Sequence, residues 1–285
     1  MIKAGLVVEG GGMRGVYSSG VLDFFIEKDL FFENNYGVSA GACHLCSYLA
    51  KQYKRAFRVN VDYLNDKRYC SVHSLLKTGN LFGAEMLYDI IPNELDLFDY
   101  DTYNKNESNF YVVITNINTG KPEYVKIGDL KKDIIYVRAS SSLPLLAQNV
   151  KINDKEYLDG GISDSIPIKK SIADGNKKNV VILTRDSTYR KGKNSLMPII
   201  KLKYKKYPNF VKSMADRYIV YNEILDFIKE LENNGDVFVI RPKKPVNIGR
   251  TEKNREKLEA LYNDGYNDAK DCYEELLKYL GKENL

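Results

Sequence analysis

The sequence predicts an α/β fold, on three observations. The chain opens with a short apolar run at residues 4–8, then a glycine turn, then helical spacing of apolar residues from 16 to 32. Apolar runs of strand length return at 110–115 and 179–184,. Segments of helical pattern lie between these runs, and strands exchanged with helices are the layout of α/β proteins.

Each element follows from local pattern. Residues 4–8, bounded by Glu9 and three glycines, read as a buried parallel strand,. In 16–32, Val16, Val21, Leu22, Phe25 and Ile26 share one side of a helix. A second short strand is expected at 36–38 and a helix at 41–51. Residues 53–110 are mixed, with short helical patterns and a loop signal at Lys77-Thr78-Gly79-Asn80. The strand 110–115 has a candidate neighbour at 123–127. A helix follows at 129–139, ending in a Ser-rich turn before Pro144, and 150–158 reads as a hairpin around Asn153-Asp154.

The composition shifts after about residue 186, which divides the chain into an expected core, 1–186, and a mostly helical extension packed on it, 187–285. Residues 187–207 are basic and aromatic. A long helix is expected at 209–233, stopped by Asn-Asn-Gly, then a strand at 236–241 before Pro242. Residues 251–280 carry an amphipathic helical pattern, with Thr251 as its cap and Gly265 as the place of a break,.

The bulk composition fits a folded protein. Of 285 residues, 44% are hydrophobic and 28% charged, enough for one large domain or a core with an appendage,. A net charge of +5 favours anionic surfaces, lipid headgroups included, and calls for no nucleic acid,. Four cysteines in this length are not a disulfide scaffold,. The apolar N-terminal run is too short for a signal peptide, and nothing approaches the roughly 20 apolar residues of a membrane span. The expected location is cytoplasmic, with peripheral membrane contact as an addition.

Three segments carry chemistry. Gly37-Val38-Ser39-Ala40-Gly41 fits the nucleophile elbow G-x-S-x-G, in which a sharp strand-to-helix turn lifts a serine hydroxyl clear of the sheet,. A helix starting behind Ser39 presents free N–H groups and a positive end to any negative charge formed there. Gly10-Gly11-Gly12-Met13-Arg14-Gly15 supplies backbone amides for an oxyanion, each donor being worth on the order of 3 kcal/mol in kcat,. Three glycines in a row, then Arg14 and Gly15, exceed what a plain turn requires. The third segment is Asp159-Gly160-Gly161.

The glycine loop has a rival reading. Gly10, Gly12 and Gly15 also fit G-x-G-x-x-G, the dinucleotide-binding fingerprint,. That fingerprint wants an acidic residue about 20 positions on, at the end of a second strand. Asp29 and Glu33 stand near this distance, but in a stretch that reads as the tail of a long helix.

A serine hydroxyl needs a base. An α/β-hydrolase takes it from a histidine that follows the serine and the acid in the chain. The only histidines are His44 and His73, so that order is excluded if the acid is Asp159. Both read as structural residues. Asp159 remains, at the end of a strand-like segment beside two glycines; on local sequence alone a turn aspartate is its plainer reading.

Together these segments resemble the patatin-like phospholipase family, which combines a G-G-G-x-R/K-G loop, a G-x-S-x-G elbow and a D-G-G/A motif in this order. Ser141, Ser142, Leu143 and Pro144 resemble the small-residue and proline segment that precedes the family's aspartate. The resemblance covers about 3–186. It implies a three-layer α/β/α sandwich around a mainly parallel sheet and a lipid acyl-ester hydrolase that uses a Ser–Asp dyad without metal or other cofactor. By position, Ser39 is the implied nucleophile, Asp159 the implied base, and Gly10, Gly11 and Gly12 the implied oxyanion hole. Arg14, Gly15, Gly37, Gly41, Gly160 and Gly161 support the motifs. Glu9, where Asp or Gly is more frequent, and Asp164-Ser165, in place of an asparagine region, depart from the pattern. Asp164 is a second candidate base. Residues 187–285 resemble the extension of bacterial members and add no nameable chemistry.

Cys43, Cys46, Cys70 and His73 have spacing compatible with zinc, yet the first two fall on the helix behind the elbow and read as buried thiols,. Lys201, Lys203, Lys205 and Lys206, beside Tyr204 and Tyr207, read as a solvated face, with an anionic membrane as the alternative contact,. A non-catalytic lipid-binding or regulatory protein on the same fold also stands as an alternative.

Overall fold

The computed structural model describes residues 1–282, so the last three residues of the expected extension lie outside the described residues. The chain runs β1 (Ile2–Val8), a 3-10 turn (Gly12–Gly15), α1 (Val16–Glu27), β2 (Phe32–Val38), α2 (Ala40–Leu49), α3 (Arg55–Val61) and α4 (Val72–Thr78). A π-helix (Met86–Leu95), α5 (Tyr100–Asn104), β3 (Asn109–Asn116), β4 (Pro122–Ile127) and α6 (Leu130–Ser140) follow. Then come β5 (Val150–Ile152), β6 (Lys155–Asp159), a 3-10 turn (Gly160–Ile162), α7 (Ile168–Ala173) and β7 (Asn179–Ile182). The chain ends with α8 (Met197–Lys203), α9 (Pro208–Asn233), β8 (Val237–Ile240), α10 (Arg255–Asp271) and α11 (Tyr273–Leu280).

All eight strands form one sheet in the order β5-β6-β3-β2-β1-β7-β8, with β4 also on β3. The five strands β3, β2, β1, β7 and β8 are mutually parallel. Central β1 is buried on both faces, as a covered parallel strand must be,. Its Leu6 and Val8 pack with Val21 and Phe25 of α1, Leu45 of α2 and Leu261 of α10. Its Val7 faces the other way, onto Ile168 of α7 and Ile224 and Ile228 of α9. Helices therefore cover both faces, giving three layers, and α9 and α10 of the C-terminal part lie on opposite ones.

The edges of β3 determine the position of the site. One edge is taken by antiparallel β4 along Phe110–Ile127 to Thr115–Pro122 pairs. The other is taken by parallel β2 as far as the Val38–Val113 pair, and then by antiparallel β6 from the Ile114–Asp159 pair onward. A strand has only two edges, so β2 and β6 run toward each other along the same one and stop where they meet. The residue after Val38 is Ser39, and the last residue of β6 is Asp159.

The sequence expectation for 16–32 needs correction. Helix α1 stops at Glu27, Asp29 turns at φ 48°, and Phe32 already opens β2. Leu30, Phe31 and Phe32 are buried, and a short apolar run fits a helix or a strand equally well by periodicity,. A second strand therefore does reach Glu33. That acid stands at the strand's beginning, whereas a dinucleotide site needs it at the end, which carries Ser39,. The hairpin at 150–158 turns at Asn153 (φ 52°) between β5 and β6 as its sequence indicates,.

The break expected at Gly265 falls instead at Cys272, and the cap expected at Thr251 is Asn254, whose side chain accepts from the Lys257 N–H. Gly265 has a packing role within α10. A Cβ there would lie 2.0 Å from the Tyr17 carbonyl oxygen of α1, and one on Gly20 would lie 2.1 Å from the Tyr262 carbonyl oxygen. Two helices cross at backbone contact, latched by Tyr17–Asp268 and Tyr262–Asp23 hydrogen bonds of 2.9 and 2.8 Å.

This crossing predicts a sign reversal. Gly→Ala inside a helix ordinarily stabilises by about 0.5–1 kcal/mol. Gly265→Ala is expected to destabilise instead, by about 1–3 kcal/mol from overpacking. Thermal melts check it; a raised melting temperature would mean that the crossing is loose.

Candidate active site

Ser39 stands between the end of β2 and the start of α2 with φ 54° and ψ −125°, a conformation that non-glycine residues rarely adopt,. It is held by its surroundings. Its N–H donates to Ser140 Oγ at 2.8 Å, and its own carbonyl accepts the Cys43 N–H at 3.2 Å, the first bond behind the turn. The turn presses on β1 and the glycine loop. A Cβ on Gly41 would sit 2.4 Å from the Val8 carbonyl oxygen, and one on Gly10 2.7 Å from Ser39 Cβ. Gly37 lies at the end of β2 against Ala42 of α2 in the same way.

Ser39 Oγ donates to Asp159 Oδ2 at 2.7 Å, and Gly161 N–H donates to Oδ1 at 2.8 Å. The backbone of Asp159 is fixed by its own N–H to the Ser142 carbonyl and by Thr115 Oγ1 to its carbonyl, both 2.8 Å. Gly160 touches β3 at the Val113 carbonyl. Asp159 is buried. Burial raises its carboxyl above the usual carboxylate range, while the Arg217 charge, the Ser39 hydroxyl, the Gly161 N–H and the Arg250 charge act against that rise,. The candidate Asp164 is turned elsewhere, accepting from Tyr124 OH at 2.7 Å.

Gly10, Gly11 and Gly12 lie beside Ser39, in the wall of one pocket with Asp159. No described residue accepts from the N–H groups of Gly11 or Gly12. Gly12, at φ 58°, leads into Met13, whose N–H donates to the Arg250 carbonyl at 3.0 Å, so a late segment ties down the loop. Arg14 is buried and donates to the Ile248 carbonyl, and Gly15 rests on His44.

Ser39 separates two cavities. On one side is an apolar cavity of about 130 Å3, lined among others by Met13, Cys43, Leu87, Tyr88 and Ile91. On the other is the polar pocket of about 30 Å3 that holds Asp159 and the glycine loop. An elongated molecule with an apolar and a polar half can lie across the serine.

The sequence reading missed two contributors. Arg217 on α9 donates through Nε to the Gly161 carbonyl and lies with Arg250 in the polar pocket. Neither belongs to a motif, and both follow residue 186, so no local signal marks them. The π-helix at 86–95, with Pro92 inside it, lies within the region that read only as mixed.

Other candidates take structural places. His44 is buried, 3.0 Å from Asn60 Nδ2 through its Nε2, and burial pushes its imidazole down to about 4. Cys43 Sγ meets Ser141 Oγ at 3.3 Å, and burial pushes its thiol up. Cys46 Sγ donates to the Ala42 carbonyl, while His73 is exposed on α4. Among the described residues no group of three or more His, Cys, Asp or Glu side chains is arranged to hold a metal ion.

Comparisons with known proteins agree with this geometry at the level of family. Residues 6–171 match the patatin-like phospholipase family, and residues 207–281 match a domain of unknown function, DUF6363. The uncharacterised protein YjjU of Escherichia coli (strain K12) is 28% identical over 261 residues, 86% of this chain and 70% of that protein. A probable lipid hydrolase, 463L, of Invertebrate iridescent virus 6 is 26% identical over 215 residues, 65% of this chain and 71% of that protein. The lysophospholipase nte1 of Aspergillus fumigatus is 27% identical over 175 residues, 58% of this chain and 11% of that protein.

The backbone at Ser39 gives a test that needs no substrate. Ser39→Gly and Ser39→Ala lose the same hydroxyl but differ in their tolerance of positive φ. Where φ is ordinary, alanine is the more stable by about 0.4–1 kcal/mol. Here the glycine variant is expected to be more stable than the alanine variant by about 1–3 kcal/mol, the cost of the strained conformation. Equal or reversed denaturation midpoints would remove the strain.

Proposed function

Because the chain belongs to the patatin-like phospholipase family, we propose that it is a lipid acyl-ester hydrolase of phospholipase A type, with Ser39 as nucleophile and Asp159 as base. Family membership and the lipid hydrolase named among its relatives support the general activity. The observation that supports the assignment of residues is the 2.7 Å hydrogen bond from Ser39 Oγ to a buried carboxylate.

The chemistry runs in two halves. Asp159 accepts the Ser39 proton as Oγ attacks the ester carbonyl. The carbonyl oxygen becomes negative and takes the free amides of the Gly10–Gly12 loop. The intermediate collapses, the C–O bond to the alcohol breaks, and the alcohol leaves with the proton held by Asp159. Water then gives a proton to Asp159, attacks the acyl-serine, and the fatty acid departs as Ser39 recovers its proton. Throughout, the acyl chain occupies the apolar cavity.

Membrane contact is part of the proposal. Leu196, Ile199 and Leu202 are exposed along and beside α8, next to Lys201, Lys203, Lys205 and Lys206. Apolar side chains flanked by lysines suit insertion at an anionic interface. No helix of the described residues is long and apolar enough to cross a membrane.

Four measurements test these assignments. Ester hydrolysis is expected to fall to background in Ser39→Ala and by about 10²–10⁴-fold in Asp159→Asn, and a fluorophosphonate should modify Ser39 alone. Since the base works ionised and its carboxyl is raised, kcat/KM should climb with pH through a limb above the ordinary aspartate value near about 3.9. Full activity in both variants, or a limb at or below that value, contradicts the dyad. For the membrane face, sedimentation with anionic vesicles is expected to exceed that with zwitterionic vesicles and to drop several-fold in Leu202→Glu. Binding indifferent to lipid charge rules the face out.

A further inference from the structure

The polar pocket beside Ser39 is more cationic than the ester chemistry requires. Arg14, Arg185, Lys191, Arg217 and Arg250 line it, against two carboxylates, Glu9 and Asp159. Glu9 is occupied by neutral donors: Tyr221 OH, the Thr184 N–H and Thr184 Oγ1. Among the described residues, no carboxylate oxygen comes within 4.0 Å of any of the five cations. Five clustered cations outnumber the two carboxylates, and crowding like charges in a partly buried pocket is costly,.

The cluster is also held in place, with donors to spare. Arg14, Arg185 and Arg217 are each pinned by a backbone carbonyl, those of Ile248, Val246 and Gly161. A guanidinium has five N–H donors, so most remain free. Arg14 Nε and Arg185 Nε are buried with no acceptor at all. Lys191 Nζ stands 4.0 Å from the centre of the Tyr221 ring, and the Arg185 guanidinium 4.5 Å from that of Tyr189. Burial and the neighbouring arginines push the Lys191 ammonium down to about 7, a strain that an anion would relieve,.

We propose that this cluster is a phosphate-binding subsite, and that the substrate is an acyl ester whose alcohol half carries a phosphate monoester. The subsite rests on the pocket's own geometry, while the ester and its orientation rest on the hydrolase reading. With the acyl chain in the apolar cavity and the phosphate among the cations, the ester carbonyl falls at Ser39 between them. A phosphate monoester carries about −1.5 to −2 charges at pH 7, which suits a surplus of cations better than a single carboxylate does. A headgroup ending in a quaternary ammonium would be repelled. The pocket's 30 Å3 exceeds the roughly 10–15 Å3 that one water needs,. Lys191, Arg217 and Arg250 all come from beyond residue 186, so the C-terminal part would set headgroup specificity.

Two experiments on the full chain test this, the first of them without hydrolysis. In calorimetric titration with inorganic phosphate, the Ser39→Ala protein is expected to bind one equivalent. Adding Arg250→Ala or Lys191→Gln should weaken binding at least tenfold, with melting temperatures reporting whether each variant is folded and Arg250→Lys recovering part of the loss. Absence of saturable binding, or binding unchanged in both folded variants, overturns the subsite. The kinetic arm compares a monoacylglycerol phosphate with the uncharged monoacylglycerol of equal chain length. The wild type should prefer the phosphate ester at least tenfold in kcat/KM, and Arg250→Ala should reduce that ratio at least tenfold. Equal cleavage of the two esters overturns the substrate assignment and leaves the hydrolase reading standing. Phosphate binding with no cleavage of either ester supports the subsite and overturns the substrate assignment.

Discussion

Two strands running head-on along one edge of β3 set the geometry of the rest. Because β2 is parallel to β3 and β6 antiparallel to it, their C-terminal ends converge, at neighbouring register positions Val113 and Ile114. Strand termini on a shared edge are fixed by backbone hydrogen bonds, so the backbones of Ser39 and Asp159 are held at a set separation. A slip of one residue in either pairing would turn the side chains to the opposite face. The strained backbone at Ser39 and the close approach of Gly41 to Val8 are consequences of ending β2 at that point and starting α2 at once.

The ionisation of Asp159 ties the C-terminal part to this junction. A carboxyl so buried drifts toward its neutral form, and a neutral acid accepts no proton. Arg217 on α9 and Arg250 before α10 supply the opposing charge, while the Met13 N–H to the Arg250 carbonyl holds the glycine loop. With β8 hydrogen-bonded to β7 in the same sheet and α10 crossing α1 at backbone contact, residues beyond 186 pack against the elements that carry the site.

What was legible in the sequence was local chemistry. The elbow and the glycine loop each demand particular residues within a few positions, so Ser39 and Gly10–Gly12 stood out before any coordinates, whereas Asp159 read locally as a turn residue and was singled out by the lack of a later histidine and by the order of the three motifs. The hairpin at Asn153 was legible locally, as the elbow was. The boundary between α1 and β2 was not, because Leu30, Phe31 and Phe32 would be buried in either state. Gly265 read as a break because its helix-weakening propensity is visible in sequence, while the carbonyl of Tyr17 that requires a glycine there is distant in the chain. Arg217 and Arg250 were invisible for a related reason: neither belongs to a motif, and only the tertiary fold brings them from beyond residue 186 to the pocket of Asp159.

The charge around the junction also bears on why a carboxylate suits this site better than an imidazole. A histidine base turns from neutral to cationic as it takes the serine proton. Beside Arg14, Arg185, Lys191, Arg217 and Arg250 that new cation would be repelled from several sides at short range and low dielectric,. An aspartate turns from anionic to neutral in the same step, while the negative charge it gives up reappears on the carbonyl oxygen next to the same cations. Net charge is conserved with either base, but only the aspartate moves an existing negative charge without creating a new cation among the fixed ones. His44 fits this view, being buried behind the elbow and held neutral by its surroundings. In the proposed reaction, a surplus of cations that would hinder a histidine-based serine hydrolase becomes compatible with turnover, provided that the base is an acid residue and the charge has only a few ångströms to travel.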